Sequence, residues 1–172
     1  QGCPAVSMNA IQVGIMTEKV HSKARIINIK TDKINNHLEK GEVVVVAGFQ
    51  GVTDDLEITT LGRGGSDTSA VALAGALNAI RCDIYTDVEG VYTTDPRIVP
   101  HASRLDEISY EEMLELARVG ANVLHPRAVE TAKQYNVPLR VRSTFKLDNL
   151  GTLILGVDEM ELHKPVTGVA SD

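Results

Sequence analysis

Two short segments hold the residue types that could do chemistry. The first is residues 59–70, TTLGRGGSDTSA. Gly62, Gly64 and Gly65 surround Arg63 and run into Ser66 and Asp67, just ahead of a stretch rich in small residues. Glycine admits close backbone approach and unusual φ, and a helix start presents N–H groups without intrahelical partners. Together they make a cradle for an anion. Arg63 adds a planar donor fork suited to a carboxylate or phosphate. The segment is not a GxxxxGK[ST] loop, because no GK[ST] follows, and it is not GxGxxG, because Asp67 stands where a third glycine is required. The plain alternative is a flexible turn capped by Asp67; Arg63 is what favours the anion.

The second segment is residues 86–97, TDVEGVYTTDPR. It follows a strand-like CDIYT, and open α/β sheets bind ligands at the C-terminal ends of their strands. Thr86, Asp87, Tyr92 and Arg97 offer a hydroxyl, a carboxylate, an aromatic face and a guanidinium, which suit a ribose, an adenine and a polyphosphate. A surface loop turned by Asp95-Pro96 explains the same residues equally well. His125, beside Pro126, reads as structural, and Asp54–Asp55 as a solvated turn, so no metal ligands are assigned.

These segments need elements to hold them. Residues 3–8 and 26–29 read as strands, and 34–40 as a short helix stopped by Gly41. The run at 43–49, VVVVAGF, is apolar throughout, which predicts a central parallel strand buried on both faces. Residues 51–62 read as a loop or tight hairpin. A helix is expected over 66–80, capped by Ser66 or Asp67, with small residues facing a sheet. Strand 82–86 leads into a loop at 87–103. Ser109 and Glu112 form a capping box for a helix to Arg118, and Pro126 opens another over 126–135. Residues 138–143, 152–157 and 165–170 read as strands. Alternating strands and helices predict an α/β architecture with a largely parallel sheet.

The bulk properties narrow the function. The chain has 172 residues, 43% of them hydrophobic and 3% aromatic, so its core rests on aliphatic side chains. A net charge of −6 disfavours a nucleic-acid partner. No apolar run reaches the ~20 residues that span a bilayer. The only cysteines, Cys3 and Cys82, form no CxxC pair, which predicts a reduced, cytoplasmic compartment. The start at Gln1, without Met or a leader pattern, fits a piece of a longer protein.

Taken together, GRGGSDTSA and TDVEGVYTTDPR resemble the two signature stretches of the aspartate kinases, within the amino-acid kinase superfamily. AVSMNAIQVGIMT, VVVVAGFQG and GANVLHPRAVETAK occur in that family's order. The resemblance implies a three-layer α/β sandwich around a mostly parallel sheet. It implies phosphorylation of the L-aspartate β-carboxylate by ATP, with Mg²⁺ carried by the nucleotide phosphates. Arg63, Gly64, Gly65 and Ser66 would hold the substrate, with Gly48, Phe49 and Gln50 lining the site. Asp67 would be catalytic, organising the phosphate-transfer lysine, and Thr86, Asp87, Tyr92, Arg97 and Asn122 would hold ATP. Many members carry Lys where Asn122 stands. The family's KFGG-type segment and an upstream glutamate are not in these residues. Residues 1–157 would be the ATP-side portion of the kinase domain, and 158–172 a linker and the entry to an ACT regulatory region. A homo-oligomer is implied. The chain alone is expected to be inactive and self-associating. The alternatives are a glutamate 5-kinase or uridylate kinase type of enzyme, or a nucleotide-binding piece without turnover.

Overall fold

The computed structural model describes residues 2–120, 123–160 and 168. The chain divides into two compact units, Gln1–Asn78 and Ala79–Asp172. The first contains β1 (Ala5–Met8), α1 (Ala10–Val13), β2 (Ile15–Thr17), β3 (Ile26–Ile29), α2 (Asp32–Leu38), β4 (Val43–Val46), β5 (Gln50–Val52), β6 (Ile58–Thr60) and α3 (Gly65–Ala76). The second contains β7 (Cys82–Thr86), β8 (Glu107–Ser109), α4 (Tyr110–Arg118), α5 (Pro126–Tyr135), β9 (Leu139–Ser143) and β10 (Thr152–Leu155), followed by a 3₁₀ turn at Val157–Glu159. The architecture is α/β with mixed, mostly parallel sheets: β1–β4, β2–β5, β7–β9 and β8–β10 pair in parallel, while β2–β3, β5–β6 and β9–β10 are antiparallel.

In the first unit, strands run β3-β2-β5-β6 in one sheet and β1-β4 in another. Met8, Ala10, Val13, Ile15 and Ile34 form a core, with Val44, Val46, Leu73 and Leu77 packed against it. Val44 and Val46 therefore point inward, but Val43 and Val45 are 47% and 57% exposed. The expected strand buried on both faces is corrected: β4 pairs with β1 in a two-stranded sheet and packs by one face. It also ends at Val46 rather than 49, because Phe49 turns to φ 68° and its carbonyl accepts the Leu61 amide at 3.0 Å. Residues 51–62 do form a hairpin, β5–β6, with Asp54 and Asp55 exposed at its turn and Asp55 paired to Lys19 at 2.6 Å.

In the second unit the strand order is β7-β9-β10-β8. Cys82, Ile84, Leu139, Val141 and Ile154 bury one face. The register sets Asp83 opposite Arg140 and Tyr85 opposite Arg142 on the other, where the Arg142 guanidinium lies 5.5 Å from the Tyr85 ring centre. Helix α4 packs on α5 and beside β8 and β10. Its capping box forms as expected, with Ser109 accepting from the Glu112 amide and Glu112 from the Ser109 amide. Pro126 sits in the first turn of α5 behind His125, whose ring nitrogen accepts the Arg127 amide at 3.3 Å; that is a capping role, as its sequence context implied. The strand expected at 165–170 falls almost wholly outside the described residues, as does most of 158–172. Among the described residues no helix is long and apolar enough to cross a membrane. Cys3 is exposed and Cys82 buried, and neither is joined in a disulfide.

One buried group is unbalanced. Tyr110, 2% exposed, has a hydroxyl without a hydrogen-bond partner among the described residues. Burial, with Glu159 and Glu111 nearby, pushes its phenol up to about 12 from an ordinary 10.0. A raised folded-state value gives stability that is complete below the unfolded value and lost as pH climbs towards the folded one. Tyr110→Phe should therefore blunt the loss of stability between about pH 10 and 12 relative to the parent. At neutral pH it should match or exceed the parent, because an orphaned buried hydroxyl costs about 1–3 kcal/mol. Denaturant midpoints of both proteins across that pH range decide it.

Candidate functional site

In the first unit the glycine-rich segment joins β6 to α3. The helix starts at Gly65, capped by Gly64 at φ 70°, with no side-chain cap bond. The expected cap at Ser66 or Asp67 is thus corrected, and the reason lies in the backbone. The Gly64 carbonyl already accepts the Thr68 amide at 3.0 Å and the Thr68 hydroxyl at 2.8 Å, so the helix begins before either side chain is reached. It also stops at Ala76, four residues short of expectation. Ser66 is exposed and Asp67 half-buried in the first turn. Arg63 is exposed and takes part in no ion pair among the described residues.

Two residues the sequence reading passed over position this loop. The Ser69 hydroxyl, buried, accepts the Phe49 amide at 3.2 Å and donates to the Ser66 carbonyl at 2.8 Å. It ties the end of the β4 segment, Gly48–Phe49, to the first turn of α3. Lys23 lies over Gly62: a Cβ there would meet the Lys23 Cγ at 2.8 Å and its Cα at 3.2 Å. Gly65 is the tightest approach within the helix turn. A Cβ on it would come within 2.8 Å of the Phe49 ring and 2.9 Å of the Leu61 Cβ. The only sequence signal for these contacts was the density of small residues, which does not say which neighbour approaches.

In the second unit Thr86 ends β7, its carbonyl accepting the Thr144 amide at 2.8 Å, and its hydroxyl donates to Asp87 at 3.2 Å. Asp87 is exposed and Tyr92 half-buried. Tyr92 bridges to Arg104, and the carbonyl of the buried Val91 accepts the Leu105 amide at 2.8 Å. The buried Thr152 hydroxyl accepts the Val91 amide at 2.9 Å and donates to the Leu105 carbonyl at 2.6 Å. Gly90 must be glycine here: at φ 147° a Cβ would stand 2.5 Å from that hydroxyl. Arg97 is not free. Asp95 takes its Nε at 3.0 Å and its Nη2 at 2.7 Å, and its backbone amide at 2.8 Å, and the Nη1 donors meet no partner among the described residues. The Arg97 guanidinium holds the Asp95 carboxyl below its ordinary range. Asn122 lies outside the described residues.

The structure therefore gathers Arg63, Gly64, Gly65, Ser66 and Asp67 on the loop and first helical turn after β6 in the first unit, and Thr86, Asp87, Tyr92 and Arg97 at the end of β7 and on the loop after it in the second. Each loop follows the end of a strand. The first can hold an anion; the second offers both donors and acceptors with an aromatic face.

The family model described as amino acid kinase family matches residues 1–143. The aspartokinase of Geobacillus stearothermophilus is 59% identical over 170 residues, covering 99% of this chain and 42% of that protein. This chain thus spans about two fifths of the length of such relatives. Among solved structures, aspartate kinase from Synechocystis superimposes with a TM-score of 0.74 at 49% identity, over 96% of this chain and 26% of that one. E. coli aspartokinase III, solved in complex with aspartate and ADP, gives 0.79 at 38% identity, over 88% and 35%.

The close approach at Gly65 generates a test of the loop's packing. Gly65→Ala forces its methyl against Leu61 Cβ, which cannot move without the backbone. The expected loss is about 1–3 kcal/mol, the usual range for overpacking a core contact, read from the denaturant midpoint at unchanged slope.

Proposed function

The chain belongs to the amino acid kinase family, and on that premise we propose that the protein carrying it is an aspartate kinase. It transfers the γ-phosphoryl group of ATP to the β-carboxylate of L-aspartate, giving ADP and 4-phospho-L-aspartate. The observation that carries the reading is Arg63: one cation without an ion pair among the described residues, held in a glycine loop at a helix start. The relative solved with aspartate and ADP, and the high identity to aspartokinases, support the same substrates.

The reaction needs no protein nucleophile. A carboxylate oxygen of aspartate attacks the γ-phosphorus in line, the bond to the β–γ bridging oxygen breaks, and its electron pair leaves with ADP. The protein contributes position and charge. Arg63 takes the aspartate α-carboxylate, which leaves the β-carboxylate as the reacting end. Ser66 contacts the same substrate, and Gly64 and Gly65 let it approach the backbone. Asp67 orients the phosphate-transfer lysine that the resemblance places outside these residues. Thr86 and Asp87 hold the nucleotide's sugar, Tyr92 its base, and Arg97 its phosphates through Nη1; the resemblance adds Asn122 to the nucleotide's contacts. The Asp95 clamp pre-orients Arg97, so little rotamer freedom is lost on binding. Mg²⁺ would be carried by the nucleotide phosphates, where it would neutralise part of their charge. The cytoplasm, where aspartate and ATP are both available, is the proposed compartment.

Two measurements test this in a full-length enzyme carrying the segment. Arg63→Ala should raise the KM for aspartate about 10- to 100-fold, the value of a hydrogen-bonded charge pair, and leave the KM for ATP near the parent's. An unchanged KM for aspartate, or preferred turnover of glutamate or UMP, overturns the assignment. Asp87→Ala and Arg97→Ala should each weaken ATP binding in calorimetry while circular dichroism stays unaltered. If both bind ATP as the parent does, the nucleotide lies elsewhere.

A further inference from the structure

A polar lattice in the second unit joins the loop after β7 to the connection between β9 and β10. At its centre is Glu89, two residues past Asp87, with both carboxylate oxygens committed. Oε1 accepts from Lys146 Nζ at 2.5 Å and Oε2 from Asn149 Nδ2 at 2.8 Å. The Asn149 side-chain oxygen accepts in turn from Arg104 Nη1 at 2.7 Å and from the Gly151 amide at 2.9 Å. Arg104 also donates to the Gly151 carbonyl, and to Asp106 at 3.0 Å. From β9, Arg142 donates to the carbonyls of Leu147 at 2.7 Å and Asn149 at 3.4 Å. The connection at 144–151 is thereby fixed at several points, and Glu89 is the residue through which it grips the 86–92 loop by side chains. The Glu89 side chain is 31% exposed and Lys146 64%. A pair this open adds little to global stability, so its effect should be local.

We propose that Glu89 is a positioning residue for the nucleotide: by holding Lys146 and Asn149 it sets the direction in which Thr86, Asp87 and Tyr92 are presented. The inference rests on the nucleotide being bound by residues 86–97. Glu89 itself touches neither reactant.

The test compares Glu89→Ala, Glu89→Gln, Lys146→Met, Asp87→Ala and Arg97→Ala in the full-length enzyme. Glu89→Ala should raise the KM for ATP about tenfold, from the loss of two charge-assisted bonds that order the loop, with kcat at saturating ATP and the KM for aspartate within about twofold of the parent. Glu89→Gln keeps an oxygen for Asn149 and should recover most of the loss. Glu89→Ala combined with Lys146→Met should raise the KM for ATP no further than Glu89→Ala alone, since both act through one contact. If Asp87→Ala raises the KM for ATP and Glu89→Ala does not, the positioning role is wrong and the nucleotide assignment stands. If Asp87→Ala and Arg97→Ala both leave the KM for ATP unchanged, both fall. A parallel fall in kcat and rise in both KM values for Glu89→Ala, without rescue by Gln, marks a merely structural residue and overturns the proposal. Glu89→Gln and Lys146→Met, at a solvent-open pair, keep the comparison available even if the alanine variant folds poorly.

Discussion

Irregular backbone beside a sheet must satisfy its N–H and C=O groups without a ladder. In each unit a buried hydroxyl reaches backbone on two sides of the loop that carries the candidate site. Ser69 accepts the Phe49 amide and donates to the Ser66 carbonyl; Thr152 accepts the Val91 amide and donates to the Leu105 carbonyl. Both are small enough to reach backbone on two sides at once. The glycines follow from that constraint. Gly90 has to be bare because Thr152 occupies the space of its side chain, and Gly48 meets the Ser69 oxygen at 3.1 Å from a would-be Cβ. The loops are thus held by main-chain bonds, and their outward side chains, Arg63 and Asp87 among them, are left to meet a ligand.

Charge is distributed in keeping with this. In the second unit the cations nearest the candidate loop are mostly spoken for: Arg97 by Asp95, Lys146 by Glu89, Arg104 by Asp106. Local pairing fixes their geometry in advance, which lowers the ordering cost of recognising a polyanion. Arg63 in the first unit has no such partner among the described residues. In a chain of net charge −6, a cation without an ion pair among the described residues in a backbone-lined loop is the feature on which the proposed contact with a small acid rests.

Much of this was legible from residue order alone. Helix α4 announced itself through Ser109 and Glu112, and α5 through Pro126, because caps depend on neighbours three residues apart. The glycine loop and the segment after β7 were legible as loops for the same local reason. The short α1 could have been read as well: Asn9 and Gln12 form a capping box and Gly14 closes it in the left-handed region. Strands of three residues carry too little periodicity to stand out, and β2, β5, β6 and β8 are all of that size. The burial of β4 was misjudged because four valines in a row say that a strand forms but not how many faces are covered. Nothing in the sequence joined Glu89 to Lys146 and Asn149, 57 and 60 residues away. Such contacts are set by strand order, which local pattern does not encode.

The two thiols have a use of their own. Cys3 is exposed ahead of β1, whereas Cys82 is 8% exposed on the packed face of β7. A thiol reagent under native conditions reaches Cys3 at once and Cys82 only when its strand is uncovered, because reaction requires access to the sulfur. The chain therefore contains its own stopwatch for transient opening of the second unit, with the first thiol as internal standard. Slower modification of Cys82 in the presence of a nucleotide would register, without any engineered label, how strongly occupancy of one loop tightens the sheet behind it.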